Sequence, residues 1–324
     1  VGNPILEVEN LTMRYTTRAG DVSAVENVSF DLHEGEALGL VGESGSGKSS
    51  IAISLIKLLP ENAHILGGKI LLRGEDLVPL SDEQIRPRRW CKIAMVFQAA
   101  MNSLNPVYCV GDQIIEALQT HNPDMGNAAA RARVAELFGL VGLDPALMDR
   151  YPHQFSGGMR QRAVIAMALS CDPDVIIADE PTTALDVIVQ DNILREMKQL
   201  QERKQFGVIY ISHDIAVIAE VSRRIAIMYA GHIVEIADAE DIFAHPVHPY
   251  TFALMNAFPS IVGPKHPLLA LPGEPPDLLH PPAGCRFHPR CLHVQERCRR
   301  EQPPDTDYGR GHLAACWNPM EKPS

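Results

Sequence analysis

Eight consecutive residues, Gly42, Glu43, Ser44, Gly45, Ser46, Gly47, Lys48 and Ser49, satisfy the phosphate-cradling pattern G-x-x-x-x-G-K-S/T at every specified position. Three glycines let the backbone turn its N–H groups inward around a polyphosphate. Lys48 brings positive charge to the β and γ phosphates, and the Ser49 hydroxyl is suited to Mg2+. The context such a loop needs is a strand entering and a helix leaving. Residues 36–41 are a short apolar run suited to a buried strand. Residues 50–59 carry Ile51, Leu55, Ile56, Leu58 and Leu59 with no internal Pro or Gly. A helix therefore starts under the phosphates, with Ser50 in its first turn and its N-terminal dipole favouring the anion.

Three further apolar runs each end in a polar residue, where open α/β sheets place ligand contacts. Residues 93–97 end at Gln98, whose amide either contacts Mg2+ or the attacking water or simply caps the strand. Residues 175–178 end in Asp179 and Glu180: the first is suited to a Mg2+ shell, and the second to accepting a proton from water. Residues 207–212 end in His213 and Asp214. A strand-end histidine is more often structural than catalytic, but the convergence of three such strands outweighs any one of them. A second anion-type helix start follows Phe155, where Ser156, Gly157 and Gly158 lead into residues 163–169. Tyr15 is either an aromatic that stacks on adenine or an ordinary half-buried strand tyrosine.

The elements that must hold these residues are legible in outline. Residues 5–15 and 28–32 alternate apolar and polar side chains, as strands of an antiparallel layer do. Gly67, Gly68, Gly74 and the basic run Arg86, Pro87, Arg88, Arg89 read as a turn-rich arm with a solvated charged face. Residues 110–150 read as helical, and residues 225–235 as two strands closed by a turn at Gly231. Fifteen of the 25 prolines lie from Pro246 onward, which leaves room for a helix only near residues 250–257 and places a boundary near His245. The expected division is 1–245 and 246–324.

With 46% hydrophobic and 21% charged residues, the 324-residue chain is globular. A net charge of -11 argues against a nucleic-acid surface. No apolar run approaches the roughly 18 residues of a membrane span, and no signal-peptide pattern follows Val1. A cytosolic chain with reduced thiols is expected. Of seven cysteines, Cys285, Cys291, Cys298 and Cys316 gather late in the spacing C-x5-C-x6-C-x17-C, in a Pro-rich segment that needs a staple. Four thiolates suit an iron–sulfur cluster or tetrahedral zinc, and the gaps match neither ferredoxin runs nor zinc ribbons.

Taken in order, the motifs over roughly residues 5–245 resemble the nucleotide-binding subunit of an ATP-binding cassette (ABC) transporter. They are Walker A (42–49), a Q-loop at Gln98, the signature from Ser156 to Gln161, and Walker B with Asp179 and Glu180. A D-loop at Ala184, Leu185 and Asp186 and a switch histidine, His213, complete the set. Phe155 stands where the signature commonly begins with Leu, a conservative change. The resemblance implies an α/β P-loop NTPase with an antiparallel β subdomain, a helical subdomain near 99–160 and a small Cys-bearing C-terminal extension. It implies head-to-tail dimers in which each ATP lies between one subunit's Walker A and the other's Ser156, Gly157 and Gly158, with Asp186 nearby. Tyr15 falls at the adenine-stacking position, Ser49, Gln98 and Asp179 at the Mg2+ positions, and Glu180 at that of the base.

More narrowly, the chain is similar to the oligopeptide and dipeptide importer subgroup. The residues that carry this are Met101, Asn102, Ser103, Leu104, Asn105 and Pro106; His248, Pro249, Tyr250 and Thr251; and the stretch from Gly284 to Cys291. Members import peptides, nickel complexes or oligosaccharides. The implied partners are a second ABC ATPase, identical or paralogous, and two integral membrane permease subunits. An extracytoplasmic solute-binding protein acts with them, and the location is the cytoplasmic face of the cell membrane. The four-cysteine tail is associated in such importers with a [4Fe-4S] cluster, with Zn2+ the alternative. A soluble ABC ATPase acting on nucleic acid or ribosomes is the rival class. It is disfavoured by the acidic balance and by the lack of a long coiled-coil insertion between Walker A and the signature.

Overall fold

The computed structural model describes residues 3–98, 103–183, 185–256 and 271–320. The chain opens with β1 (Leu6–Thr17), β2 (Gly20–Leu32) and β3 (Ala37–Val41), then α1 (Lys48–Leu55), β4 (Ala63–Leu72), β5 (Glu75–Asp76), α2 (Asp82–Ile85) and β6 (Ile93–Val96). A helical stretch follows, with α3 (Val110–His121), α4 (Asn127–Leu140) and α5 (Gly157–Ala168). The chain then alternates through β7 (Val175–Asp179), α6 (Val187–Lys204), β8 (Gly207–Ser212), α7 (Ile215–Val221), β9 (Arg224–Tyr229) and β10 (His232–Asp238). It ends with α8 (Ala239–Ala244), α9 (Pro249–Asn256), β11 (Thr306–Asp307) and β12 (Leu313–Ala314).

Two sheets result. An antiparallel sheet runs β2-β1-β4-β5, and a mixed sheet runs β11-β12-β10-β9-β3-β8-β7-β6. In the mixed sheet β9, β3, β8, β7 and β6 are parallel neighbours. Their sequences read as unbroken apolar runs rather than alternating ones because β3 and β7 are buried along their whole length. Parallel strands in adjacent positions bring their C-terminal ends to one edge, where Gln98, Asp179 and His213 leave the sheet. That row is the foundation of the site.

The turn-rich arm expected around Gly67 and Gly68 is instead the middle of β4. Gly68 has φ +92°, and a Cβ there would stand 2.6 Å from the carbonyl oxygens of Glu9 and Asn10. The β1–β4 register shifts between Glu9 and Thr12, so the glycine marks a bulge inside a strand pair and not the end of a strand. Arg88 behaves as a solvated charge paired with Glu75 at 2.7 Å. Arg89 does not: its Nε donates to the Ile56 carbonyl at 2.8 Å, satisfying a carbonyl just past the C-terminus of α1.

Beyond α9 the chain has little regular structure, yet it is tied to the cassette. β12 pairs with β10 through Glu235 and Ala314. The buried Glu235 carboxylate accepts from the backbone N–H groups of Val247 at 2.7 Å and His248 at 2.8 Å, and lies 2.6 Å from His312 Nε2. The seven cysteines form no disulfide. No helix among the described residues is long and apolar enough to cross a membrane.

Candidate nucleotide site

The loop from Gly42 to Ser49 joins β3 to α1 and is clamped by backbone on both sides. A Cβ on Gly42 would lie 2.1 Å from the Met228 carbonyl, and one on Gly47 2.2 Å from the Ala24 carbonyl. Gly47 also has φ 105° as it opens α1, a conformation L side chains rarely adopt. Lys48, 6% exposed, donates to the carbonyls of Gly42 at 2.7 Å and Glu43 at 2.9 Å and to Ser46 Oγ at 3.3 Å. Burial pulls its pKa down, opposed by the charges of Glu180, Asp179 and Glu43, so these acids lie within electrostatic reach of it. Ser44, Gly45 and Ser49 face solvent, as a loop waiting for phosphates requires. Tyr15, half-buried in β1, places its hydroxyl 3.2 Å from Ser50 Oγ in the first turn of α1, so the aromatic does stand beside the loop.

Asp179 ends β7 at 4% exposure. Its Oδ1 is buried without a hydrogen-bond partner, and the nearby Ser49 hydroxyl acts to lower its pKa. Burial and the charge of Glu180 raise its pKa, against the pull of Ser49 and Lys48. An orphaned carboxylate oxygen beside a serine hydroxyl fits the oxygen-donor chemistry of Mg2+, which offsets the desolvation of such a group.

Glu180 follows with φ 46°, an unusual conformation for a non-glycine residue that turns the chain sharply out of the strand. Its Oε1 lies 3.0 Å from His213 Nδ1, and its Oε2 accepts from Gln98 Nε2 at 2.8 Å and Thr183 Oγ1 at 2.9 Å. Burial works to raise the Glu180 pKa, but the hydrogen bonds from His213 and Thr183 and the charges of His213 and Lys48 prevail and hold it below the ordinary value. An ionised carboxylate accepts only, so His213 Nδ1 carries the shared proton. Three strand ends thus deliver Gln98, Glu180 and His213 to one cluster.

Ser156 caps the N-terminus of α5, its hydroxyl accepting from Met159 N–H at 3.3 Å. Gly158 packs against Val189, where a Cβ would approach to 2.7 Å. None of the hydrogen bonds or ion pairs among the described residues joins Ser156, Gly157 or Gly158 to the loop at 42–49. Asp186 caps α6 by accepting from Val189 N–H at 3.0 Å. Ala184 of the expected D-loop, and Met101 and Asn102 after the Q-loop, lie outside the described residues.

Two of the four C-terminal thiols accept a backbone N–H, Cys298 from Gln295 at 3.5 Å and Cys316 from Asn318 at 3.4 Å. The Cys316 thiol is pushed up to about 12 by burial and by the charges of the other three. Even so, among the described residues no three His, Cys, Asp or Glu side chains are grouped to hold a metal ion. The expected [4Fe-4S] or zinc centre is therefore not supported by this arrangement. Burial raises the Cys285, Cys291 and Cys316 thiols above the ordinary value.

The sequence profile described as "ABC transporter" matches residues 25–183, and the profile "Oligopeptide/dipeptide transporter, C-terminal region" matches residues 234–298. The dipeptide transport ATP-binding protein DppD of Bacillus subtilis is 47% identical over 316 residues, covering 97% of this chain and 94% of that protein. The chain belongs to the ABC transporter ATP-binding family. The oligopeptide transport ATP-binding protein OppD of Haemophilus influenzae is 44% identical over 322 residues, 99% of each chain. OppD of Escherichia coli is 43% identical over 320 residues, 98% of this chain and 94% of its own. Among solved structures, the dimeric MJ0796 bacterial ABC transporter cassette superposes with a TM-score of 0.65 at 28% identity, over 72% of this chain and 98% of that one. The fold is the ABC cassette, with the antiparallel sheet, helical part and cysteine-bearing extension the sequence implied.

Two sets of contacts escaped the sequence reading of this ABC ATPase. Thr183, three residues beyond Glu180, donates to the same carboxylate as Gln98. Arg290 and Tyr250, quoted above only as subgroup markers, reach Glu43 of the phosphate loop. The first had a local signal in its spacing from Glu180; the second needed a fold that joins residues 247 positions apart.

Proposed function

We propose that this chain is the ATP-hydrolysing subunit of an importer that carries peptides or related solutes across the cytoplasmic membrane. The observation that carries it is the Glu180 carboxylate, held ionised by His213 and Thr183 at the end of β7, with Lys48 and the loop at 42–49 within its electrostatic reach. Lys48 exchanges its loop carbonyls for the β and γ phosphates. Glu180 accepts the proton of the attacking water, while Gln98 and His213 fix its two oxygens. Ser49 and Asp179, with the Gln98 amide oxygen, would hold Mg2+, which supplies charge neutralisation on the phosphates when bound. Tyr15 stacks on adenine. Ser156, Gly157 and Gly158 serve the ATP of a second cassette, and Asp186 lies along that same contact.

Peptide is the solute favoured because the relatives similar over nearly the whole chain are named for dipeptide and oligopeptide transport. Oligosaccharides or nickel complexes are the alternatives. Two permease subunits and a second ATPase, self or paralogue, complete the assembly, with the chain peripheral on the cytoplasmic face. The experiment is co-purification with its membrane subunits, reconstitution in proteoliposomes, and measurement of MgATP hydrolysis and uptake of labelled peptide. Absence of hydrolysis, or of any integral membrane partner, overturns the reading.

The four C-terminal cysteines are proposed to close on a [4Fe-4S] cluster, with Zn2+ the alternative, in the loaded protein. What supports this is the donor set, four thiols close enough to act on one another electrostatically, two of them accepting a backbone N–H. Iron and zinc analysis after anaerobic purification decides it, and a protein lacking both metals sinks it.

A further inference from the structure

Arg290 of the extension is 7% exposed at its side chain, yet its charge is fully engaged by the cassette. Its Nη1 donates to Glu43 Oε2 at 2.8 Å and its Nη2 to Oε1 at 3.2 Å, a two-point pairing of guanidinium and carboxylate. Nε donates to the Pro272 carbonyl at 2.9 Å, and Nη1 also lies 3.3 Å from the Tyr229 hydroxyl. Tyr250 of α9 holds the backbone of the same residue, its hydroxyl accepting from Glu43 N–H at 3.2 Å. Two residues of the C-terminal region thus grip one residue of the phosphate loop, by side chain and by main chain. The grip passes inward, because the Glu43 carbonyl accepts from Lys48 Nζ at 2.9 Å.

Glu43 needs such a partner. A carboxylate in a loop that receives a triphosphate adds negative charge where more negative charge must come. A unit charge several ångströms from an anion, at an effective dielectric of about 20, changes affinity on the order of tenfold. Lys48 divides its charge among Glu180, Asp179 and Glu43, and its hydrogen bonds go to the Gly42 and Glu43 carbonyls and Ser46 Oγ, none to the Glu43 carboxylate. Hydrogen bonds to Glu43 and Tyr229 outweigh the burial that would discharge Arg290 and keep its guanidinium cationic.

We propose that Arg290 is a positioning residue of the nucleotide site: it neutralises Glu43 and pins the second residue of the phosphate loop, so nucleotide affinity depends on the C-terminal extension. This rests on the reading of residues 42–49 as the triphosphate loop. The test measures MgATP affinity and turnover in the full-length protein, with thermal melts confirming the fold of each variant. R290A weakens ATP affinity by about tenfold while kcat at saturating ATP changes less. R290K recovers part of the loss, because it restores charge but not the two-point geometry. The double variant R290A/E43Q recovers most of it, since no carboxylate remains to be neutralised. E43Q alone completes the double-mutant cycle: the loss caused by R290A is smaller in the E43Q background than in wild type.

The proposal is overturned if R290A binds ATP like wild type while the control K48A does not. It is equally overturned if R290A costs as much affinity in the E43Q background as in wild type, since that result leaves Arg290 as an ordinary docking contact. Wild-type affinity in K48A would instead refute the loop assignment on which the proposal stands.

Discussion

Glu180 Oε1 and His213 Nδ1 stand 3.0 Å apart, the carboxylate following β7 and the imidazole following its parallel neighbour β8. The pair is fixed by sheet geometry, and the sharp backbone turn at Glu180 aims the carboxylate off the strand. Glu180→Gln keeps the size and a hydrogen-bonding oxygen but removes the base. ATP binding is expected to persist while turnover falls by about a hundredfold to ten-thousandfold, the range of general-base contributions. Nucleotide binding and steady-state hydrolysis measured on the same preparation check it, and a variant turning over at the wild-type rate refutes the base assignment.

His213 acts on the base and not on the phosphates, so its loss should be smaller and graded. His213→Ala leaves Gln98 and Thr183 on Oε2 but frees Oε1 to rotate. Turnover is expected to fall by roughly tenfold to a hundredfold with ATP affinity nearly unchanged, as for removal of one orienting hydrogen bond. An equal fall in affinity would show that His213 binds nucleotide instead of orienting Glu180.

How much of this was legible beforehand depends on how local the signal is. The loop at 42–49 declares itself because each residue type answers a constraint within eight positions, and Gln98, Asp179 and His213 because each ends an apolar run. Gly68 misled because a positive-φ glycine reads the same in a bulge as in a turn; only the register shift opposite Glu9 and Thr12 separates the two. Arg89 and Arg290 were unreadable for a related reason. A charged side chain carries no mark of the carbonyl or carboxylate it will meet, and those partners are set by tertiary packing. The cysteine tail is legible only as a donor set: thiol spacing records the donors available and not how the chain holds them together.

Gly47→Ala should be the most damaging single methyl in the loop. The residue combines φ 105° with a Cβ position 2.2 Å from the Ala24 carbonyl, so relief requires moving β2 or unwinding the first turn of α1. A stability loss of roughly 2 to 4 kcal/mol is expected from strain and overpacking together. Loss of ATP binding should accompany it. Denaturant midpoints and nucleotide titration report the two effects, and a variant matching wild type in both would show the loop to be less constrained than its backbone indicates.

Stability should fall as the medium is acidified through the range of histidine. His248 is fully buried, its Nδ1 accepts from Tyr250 N–H at 3.0 Å, and burial depresses its pKa to about 4 against the opposing pull of Glu235. Above pH 6.5 neither folded nor unfolded chain binds this proton, so the neutral ring costs nothing. Between about 6.5 and 4 the unfolded chain takes up a proton that the native site refuses, and native stability is lost progressively. The loss attributable to His248 by pH 5 is roughly 2 kcal/mol. Comparing urea midpoints of wild type and His248→Gln at pH 7.5 and pH 5 isolates it. If the two proteins lose stability in parallel, the buried imidazole is not the source.

Ser156 supplies the test of the composite site. It caps α5 at an exposed position, and no hydrogen bond or ion pair among the described residues connects it to the phosphate loop of its own chain. A helix N-terminus with two glycines behind its cap is suited to an anion, so its partner phosphate must come from another cassette if it has one. Ser156→Arg fills that approach without touching the loop at 42–49. A single chain should still bind ATP within about twofold of wild type, whereas turnover, which needs the second cassette, should fall by about a hundredfold. Dilution adds an independent reading: activity per chain of the wild-type ATPase should drop as the pair dissociates, and be restored by added partner subunit. Wild-type turnover in Ser156→Arg, or hydrolysis per chain that ignores concentration in the isolated subunit, would mean that each cassette completes its own site.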